Sequence, residues 1–146
     1  MNRLVLKFGG TSVANLERIA HVAEIVAARR AETRAIAVVV SAMSGTTNQL
    51  VEWTKGAAGP DLHGPDYDDE YDVVVASGEQ VTAGLLALAL RKKGLKARSW
   101  LGWQLQLRTD EAHGKARIMG CENPEFIRSV DSGEIAVVAG FQGVDD

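Results

Sequence analysis

An α/β sandwich built on a mainly parallel sheet is the fold class predicted by this sequence of 146 residues, and three features predict it. Short apolar runs alternate along the chain with segments of helical period. Two of these runs, Ala35–Val40 and Ile135–Ala139, are uninterrupted and rich in β-branched residues, the pattern of strands covered on both faces. The first two runs end in loops of glycine and small hydroxyl residues, and open α/β sheets bind ligands at the carboxyl ends of their strands.

Leu4, Val5 and Leu6 begin the first strand, which stops at Gly9-Gly10, where the backbone is freed for a tight turn. From Asn15, a suitable N-cap, the period changes. Leu16, Ile19, Ala20, Val22, Ala23 and Val26 recur at three- and four-residue spacings, which predicts an amphipathic helix to about Ala31. After the second strand, Ser41–Asn48 leads into a helix through Leu50, Val51 and Trp53. Residues 56–66 then carry Gly, Pro and Asp at the density of an exposed loop. Val73–Lys93 reads as largely helical with an interruption near Ser77-Gly78, closing on Arg91, Lys92, Lys93 and Gly94, a helix-stop signal. Ala97–Leu107 and Arg117–Met119 read as strands or a hairpin, Pro124–Val130 as a short helix, and Ile135–Ala139 as a further buried strand. That strand lies close to Asp146, and a parallel sheet needs cover on both faces, so a domain continuing beyond Asp146 is expected.

The composition bounds the function. With 46% hydrophobic and 24% charged residues the chain is of ordinary globular type, neither disordered nor collagen-like. A net charge of −3 lacks the positive field of a dedicated nucleic-acid binder, so any phosphate bound must be held locally. Cys121 is the only cysteine, which excludes an intrachain disulfide and fits a reducing, cytoplasmic setting. The N-terminal apolar run breaks at Lys7, too early for a signal peptide. The longest uninterrupted apolar runs are far short of the ~20 residues of a membrane helix, so no membrane partner is expected.

Three segments could carry chemistry. Lys7-Phe-Gly-Gly-Thr-Ser-Val13 lies between the first strand and a helix, where glycines admit an anion to the backbone and Lys7 adds a charge. Glycines after a strand are also plain turn punctuation, and spacing alone leaves both readings open. Neither a standard P-loop nor a dinucleotide fingerprint is present. Ser41–Asn48 ends the second strand, so its hydroxyls face the same crevice, although Ser44, Thr46 and Thr47 would equally serve as helix caps. In Ser77-Gly-Glu-Gln80, Glu79 is either a helix-start carboxylate or a partner for a substrate ammonium.

Taken as a set, these segments resemble a family. Lys-Phe-Gly-Gly-Thr-Ser-Val at 7–13, Val-Val-Ser-Ala-Met-Ser-Gly-Thr-Thr-Asn at 39–48, Ser-Gly-Glu-Gln-Val at 77–81, Thr-Asp-x-x-His-Gly-x-Ala-Arg-Ile at 109–118 and Val-Val-Ala-Gly-Phe-Gln-Gly at 137–143 resemble the aspartate kinases, and they run in order along the whole chain. The resemblance implies an amino-acid kinase (carbamate kinase-like) fold, an αβα sandwich of which residues 1–146 would be the N-terminal half. It also implies ATP-dependent phosphorylation of the L-aspartate β-carboxylate to 4-phospho-L-aspartate, the entry to lysine, threonine and methionine synthesis; another kinase of the amino-acid kinase superfamily, or a non-catalytic small-molecule-binding or assembly module on the same fold, stays open as an alternative. Mg²⁺ is expected with ATP, and a homo-oligomer is expected for the full-length protein. Carried over residue by residue, Lys7, Phe8, Gly9 and Gly10 would bind the ATP phosphates, with Lys7 catalytic and Ser41 beside the reacting groups. Thr47 and Glu79 would bind substrate, Glu79 through the aspartate ammonium, with Thr46 and Asn48 as loop neighbours.

The resemblance has gaps. The family's Arg-Gly-Gly-Ser-Asp stretch, adenine-side residues, substrate-binding arginine and ACT regulatory domains have no counterpart in residues 1–146, so negligible turnover is expected of the isolated chain. Asp69 replaces the arginine of the family's Arg-Glu-x-Asp stretch, while Glu70 and Asp72 match. The carboxylates from Asp66 to Asp72 read as a solvated face, and no metal site is assigned. Trp100 and Trp103 flank Gly102 either as a binding platform or as core. His21, His63, His113 and Cys121 receive no role.

Overall fold

Ala35–Val40 (β2) is buried along almost its whole length because it is an interior strand of the sheet. In the computed structural model, which describes residues 2–59, 64, 66–112 and 115–144, Arg3–Phe8 (β1), Ala97–Trp100 (β3) and Ile135–Ala139 (β6) complete a sheet of order β1-β2-β6-β3. Every pairing in it is parallel. Alternation then splits the strands between two cores. Ile36, Val38 and Val40 of β2 join Ile135, Val137 and Ala139 of β6 on one face, and Leu4, Leu6 and Phe8 of β1 pack onto the same cluster. Ala35, Ala37, Ala136 and Trp100 belong to the other face.

The first face is covered by two helices, Leu16–Arg29 (α1) and Asp68–Lys92 (α3). Asn15 caps α1 as expected, its Oδ1 accepting from the Arg18 N–H at 2.9 Å. Residue 16 onward keeps its helical period because Ile19, Val22, Ala23 and Val26 all reach the core. The second face is covered by Pro124–Ser132 (α5), which starts on an Asn123 cap with Pro124 in its first turn and ends at Gly133 in the left-handed region. Arg30 and Arg34 donate to the carbonyls of Gly133 and Ser132 there, placing cations at the negative end of that helix. Trp100 is buried in this second core with Phe126 edge-on at 5.3 Å, whereas Trp103 stands 63% exposed. The pair is therefore no platform.

Three expectations are corrected. The helix beginning at Thr46 (α2, Thr46–Ala58) runs on through Gly56 and ends at Gly59, so the loop starts later than composition suggests; residues 60–63 and 65, including His63, lie outside the described residues. Residues 97–107 and 117–119 hold strands, two of which pair as a hairpin, but a turn of helix interrupts the first stretch. After β3 comes the short helix Gly102–Leu105 (α4), then Leu107–Thr109 (β4), which pairs antiparallel with Ile118–Cys121 (β5). The interruption at Ser77-Gly78 does not exist: α3 is a continuous 25-residue helix. Ser77 satisfies its hydroxyl on the Val74 carbonyl at 2.7 Å, and Gly78 is there for want of room, since a Cβ on it would stand 2.9 Å from the Ala42 Cβ.

By length and composition α3 could cross a membrane, with a mean hydropathy of 1.7 over its most apolar window. Its apolar character has a nearer cause. Ala83, Leu86, Ala87 and Leu90 fill the first core against the sheet and α1, while Arg91 donates to the Ala97 carbonyl at the helix end.

Candidate functional site

Because all four main strands are parallel, their carboxyl ends share one edge, and the loops after β1, β2, β3 and β6 meet there. Phe8 lies opposite Val40 in register, and the Ser41 N–H donates to the Phe8 carbonyl at 3.1 Å, extending the pairing into the loops. Gly9 leads into a 3-10 turn, Gly10–Val13, closed by the Ser12 N–H on the Gly9 carbonyl at 2.9 Å. Lys7 alternates with Leu6 and Phe8, so its exposed side chain belongs to the sheet face opposite α1 and α3. It has no ion pair among the described residues.

Ala42 is the centre of the cluster, although nothing in the sequence reading singled it out. Its carbonyl would lie 3.0 Å from a Cβ at Gly10, and its methyl group fills the space a Cβ at Gly78 would need. Its backbone N–H donates to the Glu79 carboxylate. One buried alanine thus touches the glycine turn after β1 on one side and α3 on the other. The only sequence signal for it is negative: a run of small residues whose close approach no single-chain pattern reveals.

Glu79 is 7% exposed, and its Oε2 is buried without a hydrogen-bond partner. Burial raises its pKa above the ordinary glutamate value, with the Ala42 N–H opposing the shift in part. A carboxylate with one oxygen anchored and the other unsatisfied in a dry position is suited to receive a cationic donor such as an ammonium group. The helix-start reading falls, since Glu79 sits at mid-helix and not at the dipole end.

Thr47 lies exposed in the first turn of α2. The capping alternative for the hydroxyls does not hold either: the N-cap is Gly45 in the left-handed region with no side-chain cap, and the Thr46 N–H closes on the Met43 carbonyl at 2.9 Å. The Thr46 methyl lines the seat of Gly78. Gly10, Ser41, Thr46 and Glu79 therefore surround one short loop, with Thr47 at its exit and Lys7 on the strand that feeds it.

The turn at Gly9 and Gly10 fits a phosphate group in one respect, since nothing lies within 4 Å of a Cβ built at Gly9 and that side of the backbone is open to an anion. Among the described residues no group of three or more His, Cys, Asp or Glu gathers into a self-contained cation site. Asp68, Asp69 and Glu70 instead occupy the first turn of α3, where Asp68 accepts from the Gly64 N–H and the helix dipole favours them. Cys121 is exposed at the end of β5, with its sulfur 3.6 Å from the Leu105 carbonyl. His113 and Gly114 lie outside the described residues.

A doubly covered parallel sheet with its motif loops gathered on the carboxyl edge is the arrangement of a family. The model of the amino acid kinase family matches residues 2–146, and the chain belongs to that family. Within it, the chain is 46% identical over all its 146 residues to an aspartate kinase of Pseudomonas fluorescens, of which it spans 35%. Among solved structures, an aspartate kinase from Synechocystis superposes with a TM-score of 0.76 at 32% identity, covering 98% of this chain and 22% of that one. E. coli aspartokinase III in complex with aspartate and ADP superposes with a TM-score of 0.72 over 99% of this chain and 42% of that one; at 20% identity it speaks for the fold alone. The chain thus spans about a third of the length of the curated relatives it matches.

Proposed function

We propose that residues 1–146 form the N-terminal part of the catalytic domain of an aspartate kinase, which transfers the terminal phosphoryl group of ATP to the β-carboxylate of L-aspartate. The observation that carries the reading is Glu79: a buried carboxylate, held through Ala42 and left with one free oxygen, inside a segment that matches the aspartate kinase pattern. Glu79 receives the aspartate ammonium, Thr47 donates to substrate oxygens, and Ser41 stands beside the reacting groups.

The acceptor carboxylate is ionised at neutral pH, so the reaction needs no general base. The work is to hold two anions in line and offset charge on the phosphoryl group in transit. Lys7 supplies that charge, and the backbone from Phe8 to Gly10 cradles the phosphates. Mg²⁺ enters with the nucleotide, and no residue of this chain is assigned to it. Production in the cytoplasm, a place at the head of lysine, threonine and methionine synthesis, and self-association of the longer protein follow from the same reading.

A chimera tests it. Residues 1–146 joined to the remaining two-thirds of the Pseudomonas fluorescens enzyme are expected to phosphorylate aspartate in preference to glutamate. Lys7→Ala in that chimera should lower kcat by about a hundredfold or more while leaving the KM for aspartate within a few-fold. A folded chimera that ignores aspartate, or a Lys7→Ala variant with unchanged kcat, would overturn the assignment.

A further inference from the structure

The loop after β6 carries a side chain that no role in the phosphoryl transfer has absorbed. Gln142 donates through Nε2 to the Ala76 carbonyl at 2.9 Å, and its Oε1 accepts from Gln80 Nε2 at 3.2 Å. Ala76, Glu79 and Gln80 are related by i, i+3 and i+4 and share one face of α3. Gln142 thus bonds α3 on both sides of Glu79 in sequence, within one turn of it.

The loop that presents Gln142 is itself held in place. The Gly140 N–H donates to the Val40 carbonyl at 2.9 Å, the Val144 N–H to Leu107 at 3.0 Å, and the Thr109 N–H to the Val144 carbonyl at 2.8 Å. Gly102 yields to it, since a Cβ there would lie 2.6 Å from the Gln142 Cβ, and Gly143 yields to Thr109 in the same way at 2.4 Å. Phe141, next in the chain, is held at φ +52°, a region that bulky residues seldom enter unless their surroundings impose it. Three segments, α3, the turn after β3 and the loop after β6, converge on this one residue.

We infer that Gln142 is a positioning residue for Glu79: its two hydrogen bonds lock the loop after β6 onto α3 and keep the carboxylate of Glu79 in its dry, fixed orientation. The inference takes from the proposed function only that Glu79 is the amino-group partner; the locking itself stands without it. Removing the amide while keeping the bulk lets the loop lift and water reach that face of the helix. The consequence is a Glu79 that titrates more like an ordinary glutamate and adopts more than one orientation.

The test is carbon-detected NMR on the 146-residue chain, following the Glu79 carboxyl signal through a pH titration in wild type, Gln142→Met and Gln142→Ala. Gln142→Met retains the side-chain volume and is expected to fold; its Glu79 midpoint should move down and its signal broaden. Gln142→Ala, where it folds, should move it at least as far. A midpoint and line width unchanged in Gln142→Met would show that the side chain only packs, and would overturn the inference whatever Gln142→Ala does. L-Aspartate added to the chimera of residues 1–146 with the remaining two-thirds of the Pseudomonas fluorescens enzyme, which supplies the substrate-side residues this chain lacks, separates the two ideas when the same Glu79 signal is followed in it with and without Gln142→Met. If aspartate leaves the Glu79 signal untouched while Gln142→Met moves it, the ammonium role fails and the positioning role stands; the reverse result sinks positioning alone.

Discussion

Glycine to alanine within one helix gives opposite expected outcomes at two positions of α3, and the contrast measures how tightly the site is built. Gly78→Ala places a methyl group 2.9 Å from the Ala42 Cβ, 3.2 Å from Leu50 Cδ1 and 3.4 Å from Thr46 Cγ2. The nearest of these is fixed to a backbone and cannot swing aside. Gly84→Ala, less than two turns further on, meets nothing within 4 Å. Both gain about 1 kcal/mol of helix propensity over glycine. Only Gly78→Ala incurs the overpacking cost of about 1–3 kcal/mol. Propensity cancels in the comparison, so Gly84→Ala should be the more stable of the two by about 1–3 kcal/mol, or roughly 3–9 °C in melting temperature for a domain of this size. Gly84→Ala should exceed wild type, and Gly78→Ala should fall at or below it. Paired urea and thermal denaturation of the two variants reads the difference. Equal stabilisation by both would refute the claim that Gly78 is a packing glycine, and with it the account of why the helix passes Ser77-Gly78 unbroken.

Three other outcomes are expected. Burial raises the Glu79 pKa, so the native state holds that proton more tightly than the unfolded chain. Stability therefore falls as pH rises from the ordinary carboxylate range through the raised native midpoint, and Glu79→Gln should outmatch wild type at neutral pH but not at acid pH, as melting curves across that range will show. Asn123→Ala removes both the cap on the Phe126 N–H at 2.9 Å and the bond from Nδ2 to the Gln104 carbonyl at 2.6 Å, and should cost about 1–2 kcal/mol in urea titrations. Leu86→Ala empties a fully buried position in the first core and should cost about 2–5 kcal/mol by the same measurement; a loss below 1 kcal/mol would mean α3 is not packed as described.

The elements that sequence alone identified are those whose signal is local. β2 and β6 declared themselves because a strand buried on both faces must be apolar at every position, and α1 because one stripe of it faces a core. Asn15 worked as a cap because capping is settled within three residues. The failures share one cause, which is distance along the chain. Gly78 looked like a break because the reason for it, Ala42, lies in another loop. Gly102 likewise answers to Gln142, and the apolar stretch around it, whose pattern predicts strand, forms a turn of helix instead. Within the site, the motif segments were visible as segments, but the pairing of the Ala42 N–H with Glu79 and the reach of Gln142 to α3 are long-range contacts that no periodicity encodes.

Under the proposed function, those contacts account for how a chain of net charge −3 would handle anions. The positive potential is not spread over the surface; it is confined to Lys7 and to the backbone of a glycine turn, on the proposed reading. Confinement requires accuracy, and close packing supplies it. Ala42 leaves no slack between the turn at Gly10 and the helix at Gly78, and its N–H fixes one oxygen of Glu79. The two ends of the proposed reaction, phosphate at Gly10 and ammonium at Glu79, are thus separated by a single residue with contacts on both sides. On the proposed assignment, a change that widens the Gly78 seat would also shift the Ala42 carbonyl beside Gly10, so recognition of the phosphate and of the amino group would be coupled through this loop. Small residues here set a distance, which is a catalytic quantity for an in-line transfer between two anions.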